Sequence, residues 1–242
     1  TLTDFGRSLL GHAEQMEVAA QGLVRAVDAQ SDELSGTIRI AATEGMGSVW
    51  LPPRLPALRA LHPALRVEIV MGSRPLDLAR QEADIALRMF APDEADFRVR
   101  PMGQLAYGLY AAPGYLRRHG APSSLENLAS HELIGFSAAG PRRPEMAWLH
   151  GLGLAENITL CANNVLAHAR AAAAGLGVAA LPCYLAGQTA GLQRILPAQK
   201  VPGRGLWLIS HADLRPSARI DAVWQFLRRE IIADSGLLEA EA

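Results

Sequence analysis

Cysteine is nearly absent from this sequence of 242 residues: Cys161 and Cys183 are the only two, and they lack C-x-x-C spacing. A disulfide framework and a zinc knuckle are thereby excluded. Both fall at the carboxyl ends of two strands expected to be neighbours, which admits a redox pair beside the ordinary fate of free cysteine as a small buried hydrophobe. Lysine is scarcer still, with Lys200 alone, so nearly all positive charge is arginine. The formal net charge is −1, without the basic balance of a duplex-binding domain. No apolar run is long enough to span a bilayer, and the opening TLTDFGRSLLGHAEQ shows no basic-then-apolar export signal. A cytoplasmic location with no membrane partner is the expectation.

Catalytic and metal signatures are missing too. The seven histidines, His12, His62, His119, His131, His150, His168 and His211, form no H-E-x-x-H and no close pair. There is no G-x-S-x-G elbow and no G-x-x-x-x-G-K-[ST] loop, and Gly175-Leu-Gly177 lacks a third glycine and precedes a strand instead of a helix. No enzyme, no metal and no cofactor is expected.

What is present is ordinary for a soluble globular chain, 50% hydrophobic and 19% charged, enough for one large or two modest cores. The first 34 residues contain no proline, and Leu9, Ala13, Met16, Ala20, Leu23, Val27, Gln30 and Leu34 recur at alternating steps of four and three. This is a heptad seam on a helix of roughly 48 Å, too long to hide its stripe on a small domain, so pairing with a copy of itself or a neighbouring domain follows.

After Ser35-Gly36 the pattern changes. Residues 37–42 read as a strand, 43–48 (TEGMGS) as a small polar turn, 50–61 as a helix, and 65–71 and 83–88 as two further strands. That alternation indicates an α/β domain with a parallel sheet. Strands are expected at 97–102, 105–111, 131–136 and 206–210, short helices after Pro113 and near 125–130, a glycine-, proline- and arginine-rich loop over 137–144, and an amphipathic helix over 219–233.

The stretch ITLCANNVLAHARAAAAGLGVAALP at 158–182 is a strand, a helix capped by Asn163 or Asn164 and ended at Gly175, and a wholly apolar strand ending at Pro182. It makes a right-handed crossover unit. Ligands of such sheets bind beyond the carboxyl ends of the strands, where free helix N–H groups favour an anion.

Several motifs carry a family resemblance: LTDFGRSLL, SGTIRIAAT, ADIALR, YAAPGYLRRHGAPSSLENLASHELIGF, AAGLGVAALPCYLA and LWLISHADLRPSARIDAVWQFL. In order and spacing over nearly the whole chain they resemble a LysR-type transcriptional regulator. Family members open with a winged helix-turn-helix, and this chain starts at what resembles its last segment. The expectation is therefore a regulatory fragment that reaches DNA only through a winged helix-turn-helix absent from this chain.

The resemblance implies two Rossmann-like subdomains joined by two crossing strands, as in type 2 periplasmic binding proteins, preceded by a long dimerisation helix. Residues 1–35 would be the linker helix with Leu9, Met16, Leu23 and Val27 on its seam, residues 36–110 plus 206–233 the first subdomain, and residues 111–205 the second. It implies a small-molecule effector in the cleft, a homodimer or homotetramer, and structural roles for His119 and His131. The candidate effector contacts carried over are Thr43, Ser48, Ser73, Arg88, Phe90, Ser137, Asn163, Asn164 and Pro182. Thr43, Asn163 and Asn164 can equally be helix caps, and Arg88 can equally pair with an acid. Glu44 beside Thr43 repels an anion, which leaves the effector's charge open. A stand-alone solute-binding protein of the same fold is the alternative, but the heptad helix and the missing export signal do not suit it.

Overall fold

A computed structural model of the chain describes residues 34–72, 83–90, 97–137, 143–211, 217–234 and 236–238, with positions 3, 5, 6, 9, 12, 13 and 16 ahead of them. Two five-stranded sheets organise it. The first has the order β2-β1-β3-β10-β4, with β1 Gly36–Ala42, β2 Leu65–Met71, β3 Ile85–Arg88, β4 Phe97–Gln104 and β10 Gly205–His211. Strand β1 pairs in parallel with β2 and β3, whereas β10 runs antiparallel to both β3 and β4. Ile38, Ile40 and Ala42 of β1 enter the main core and Ala41 packs on the other face with Ala86 and Ile209, so both faces of the sheet centre are covered.

The second sheet has the order β7-β6-β8-β5-β9, with β5 Tyr107–Ala111, β6 Leu133–Gly135, β7 Ile158–Cys161, β8 Val178–Pro182 and β9 Gln193–Ile195. All five residues of β8 are buried at its centre, as its unbroken apolar run requires. β6 pairs in parallel with β7 on one side and β8 on the other. The crossover from β7 to β8 therefore steps over β6, and the expected adjacency of these two strands is corrected. Periodicity identifies strands but not their order across a sheet. Cys161 is exposed and Cys183 half-buried, a strand apart, so neither the redox pair nor the fully buried hydrophobe describes them.

The helices are α1 Leu55–Leu61, α2 Pro113–His119, α3 Pro144–Gly151, α4 Val165–Ala173, α5 Cys183–Gly187 and α6 Ala218–Ala233. The expected turn at 43–48 is instead helical from Glu44 and continues as a π-helical stretch, Met46–Trp50, and a 3₁₀ turn, Pro52–Arg54. The glycines that suggested a turn are there for close approach: a Cβ on Gly47 would lie 2.8 Å from Met71 Cγ. Most of the loop expected over 137–144, positions 138–142, lies outside the described residues, and α3 begins at Pro144, with proline in its first turn and Glu145 following.

β4 of the first sheet ends at Gln104 and β5 of the second starts at Tyr107, so the chain first passes between the sheets at 105–106. The chain returns through Val201 to β10, and the two passages touch: Leu105 N–H donates to the Arg204 carbonyl at 2.7 Å. Helix α6 closes the first subdomain by burying Ile220, Val223, Phe226, Leu227 and Ile231. Asp234 at its end accepts from Trp50 Nε1 (3.0 Å) and Arg54 Nη2 (2.6 Å).

His131 is buried, and the Tyr115 hydroxyl, which accepts from the Glu132 N–H, lies 3.3 Å from its Nδ1. His119 stacks on the Tyr115 ring at 4.4 Å. Burial, and then the nearby His119, hold His131 below its ordinary pKa. Ahead of β1, the described positions from 5 to 16 are helical, with Leu9 48% and Met16 74% exposed. Leu23 and Val27 lie outside the described residues. No helix among the described residues is long and apolar enough to cross a membrane.

Candidate binding cleft

Between the two sheets lies a cavity of about 60 Å³. One wall comes from the segment after β1, with Thr43, Glu44 and Gly45, together with Met89 after β3. The opposite wall is built by Phe136 after β6, Arg143 before α3, Asn163 and Val165 at the start of α4, and Pro182 and Tyr184 at the β8–α5 junction. Leu105, Tyr107 and Arg204 of the two crossings form the floor. Most of these positions follow the carboxyl ends of strands, where α/β sheets place their ligands.

Closure is tight at one point. Gly45 is fully packed against the second wall, and a Cβ there would sit 2.6 Å from Tyr184 Oη and 3.3 Å from Val165 Cγ1. Its φ of −65° is helical and open to any residue, so the glycine is required by proximity and not by backbone conformation.

The polar floor is a buried cluster. Glu145 is 1% exposed, and its carboxylate is gripped by Arg204, whose Nε lies 3.1 Å from each oxygen and whose Nη2 also donates to Oε1. Burial works against the Arg204 charge, but the hydrogen-bonded Glu145 carboxylate together with Tyr107 and Tyr184 outweighs it and holds the guanidinium above its ordinary pKa. The Arg143 guanidinium carbon sits over Phe136, 3.8 Å from the ring centroid, with that of Arg204 at 5.3 Å. Burial and then Arg204 lower the Arg143 pKa, while Glu145, Tyr107 and Glu44 act in the other direction. His168 meets Phe136 edge-on at 4.3 Å, and its Nε2, 3.0 Å from the Ala162 carbonyl, carries the proton. Burial depresses its pKa and keeps it neutral. Burial likewise raises the phenol pKa of Tyr107 and Tyr184, which stay protonated and able to donate.

Of the residues singled out in the sequence, the cleft gathers Thr43, Asn163 and Pro182. Asn164 is instead the N-cap of α4, its Oδ1 accepting from Leu166 N–H at 2.7 Å. Ser48 is exposed and its hydroxyl points to Met71 Sδ at 3.1 Å. Arg88 is 2% exposed and donates to the Gly72 carbonyl, so it braces the edge of β2 and does not line the cavity. Phe90 is exposed beside Met89, and Ser137 is exposed beside Phe136; in both pairs the neighbour faces the cleft. Ser73 lies outside the described residues.

Sequence reasoning missed Arg143, Glu145, Arg204, Phe136 and the two tyrosines. The available signal was Arg-Pro-Glu at 143–145, a helix start with proline in the first turn and an acid after it. A larger groove of about 810 Å³ runs between α1 and the start of β2. It is lined by one subdomain only, with Arg59, His62 and Arg66 as its ionisable groups, and gathers none of the convergent polar groups of the cleft.

The family model described as the LysR substrate binding domain matches residues 31–231. The chain is 29% identical over 201 residues to the uncharacterized HTH-type transcriptional regulator YhjC of Escherichia coli, covering 80% of this chain and 67% of that protein. It is 28% identical over 246 residues to the HTH-type transcriptional regulator PtxR of Pseudomonas aeruginosa, covering 95% and 77%. Among solved structures, the regulatory domain of CrgA, a LysR-type transcriptional regulator from Neisseria meningitidis, superposes with a TM-score of 0.69 at 22% identity over 81% of this chain and 99% of that one. The effector domain of AmpR of Pseudomonas aeruginosa gives 0.67 at 21% identity over 83% and 98%. Two α/β subdomains around a cleft, matched by this family model over most of the chain, place the protein among the LysR-type transcriptional regulators, whose regulatory domain it covers.

Proposed function

We propose that this region binds a small-molecule effector in the cleft between its two sheets and passes the resulting change in closure to the winged helix-turn-helix through which such regulators meet DNA. The observation that carries this reading is the cavity itself, whose polar groups come from both subdomains and both crossings. A ligand that touches both walls binds one degree of closure better than another, and that difference shifts the population. The first subdomain, residues 36–104 with 205–233, moves against the second, and residues 1–35 form the linker and dimerisation helix. The regulator relatives weigh against a stand-alone solute-binding protein. The working form is a cytoplasmic homodimer or homotetramer.

The test is a thermal-shift screen of small acids, amines and neutral metabolites, repeated on Thr43→Ala and Asn163→Ala. A compound that binds the cleft loses most of its shift in both variants. A hit that is insensitive to both overturns this site.

A further inference from the structure

The cleft is shut in the chain as it stands. Its cavity of about 60 Å³ has room for about two waters, each taking about 30 Å³ in the liquid, whereas pockets that hold a small molecule measure about 300–1,000 Å³. The walls meet at one point. Gly45, after β1, is buried, and a Cβ there would lie 2.6 Å from Tyr184 Oη and 3.3 Å from Val165 Cγ1 of the second subdomain. Beyond it, the π-helical stretch Met46–Trp50 and helix α5 approach within 8 Å between Cα atoms. Tyr184 is 9% exposed, and the residue its hydroxyl meets has no side chain with which to bond it.

The floor is held differently. There the two crossings are tied by the Leu105 N–H bond to the Arg204 carbonyl and by the Arg204 grip on Glu145. Packing of one ring on one glycine yields more readily than a buried, bonded ion pair. A floor that stays and a contact that yields are the parts of a hinge. We infer that Tyr184 resting on Gly45 is a latch: it holds the ligand-free chain shut, and an effector enters the cleft only when the two residues part. The parted form is then the minor one, and its fraction limits the apparent affinity of any cleft ligand.

The role given to the latch rests on the cleft being the effector site, and the experiment separates the two. Spin labels on Ala60→Cys of α1 and on the native Cys161, both exposed, report the distance between the subdomains by pulsed electron resonance in a chain that also carries Cys183→Ser. Dilution with unlabelled chain confines the reading to one molecule. With no ligand present, one short distance is expected to dominate. Gly45→Ala puts a methyl group where the hydroxyl sits, and Tyr184→Leu takes the hydroxyl away without adding bulk. Each is expected to raise the longer-distance fraction at least threefold. A glycine that merely makes room for its neighbour would respond to the first substitution and not to the second. If Tyr184→Leu does not fold, Tyr184→Phe, which keeps the ring, takes its place. An even division between two distances in the native chain, or a tyrosine variant with the native distribution, overturns the latch. No effector enters the measurement, so that failure leaves the cleft standing as the effector site. The cleft itself falls by the screen on Thr43→Ala and Asn163→Ala, which leaves the latch untouched.

Discussion

Glu145 and Arg204 hold one another in a place where neither could stay alone. A carboxylate 1% exposed is tolerated because the guanidinium fork meets both of its oxygens. Removing one partner of such a buried pair leaves an uncompensated charge, which costs about 3–5 kcal/mol. Glu145→Ala is expected to destabilise the chain by that order in chemical denaturation. The double substitution Glu145→Leu with Arg204→Met is expected to lose less than either single change, because it removes both charges together. A double cost equal to the sum of the singles would show that the two act independently.

At the scale of elements, the helix that begins at Glu44 meets the second subdomain through a glycine. Alanine is favoured over glycine within helices by about 1 kcal/mol, so Gly45→Ala should not weaken the helix. What it meets is Tyr184 Oη at 2.6 Å. The expected outcome is a parted cleft: small-angle scattering gives a larger radius of gyration for Gly45→Ala at unchanged mass. Adding Tyr184→Phe, which removes the hydroxyl, restores the native value. An unchanged radius in the single variant would mean that the tyrosine side chain yields and the subdomains do not.

The same glycine marks where the sequence stops being readable. Strands such as Val178–Pro182 and the cap at Asn164 are legible because their causes are local, an apolar run and an oxygen two residues from a free N–H. Gly45 and Gly47 look like turn residues because the contacts that require them come from Tyr184 and Met71, remote in sequence. Arg143 and Glu145 hid in a run of glycine, proline and arginine, and their partner Arg204 stands 59 residues beyond Glu145. Strand order and buried ion pairs are properties of the assembled fold. Thr43, Asn163 and Pro182 could be named in advance because the family resemblance carries them over, and they fall at the strand ends where an α/β sheet places its ligand. Ser48 and Phe90 shared that address, but both are exposed and neither lines the cavity.

On the scale of the whole molecule, the helical segment ahead of β1 leaves Leu9 and Met16 exposed on the seam. Apolar side chains repeating at a and d positions are buried by another helix. Sedimentation of the native chain is expected to give a dimer or tetramer, and Leu9→Glu with Met16→Glu a smaller species whose α/β body melts as before. A monomer at all concentrations in the native chain would refute the proposed assembly.

Arg204 belongs to the returning passage between the sheets, and Glu145 to the helix that starts beside the cleft residue Arg143. The grip between them ties the cleft wall at Arg143 to the passage between the two sheets. A substitution that reshapes the start of that helix is expected to disturb the passage through Arg204 as well. Substitutions at Glu44, Met89 and Asn163, which take no part in that grip, are expected to leave the joint intact.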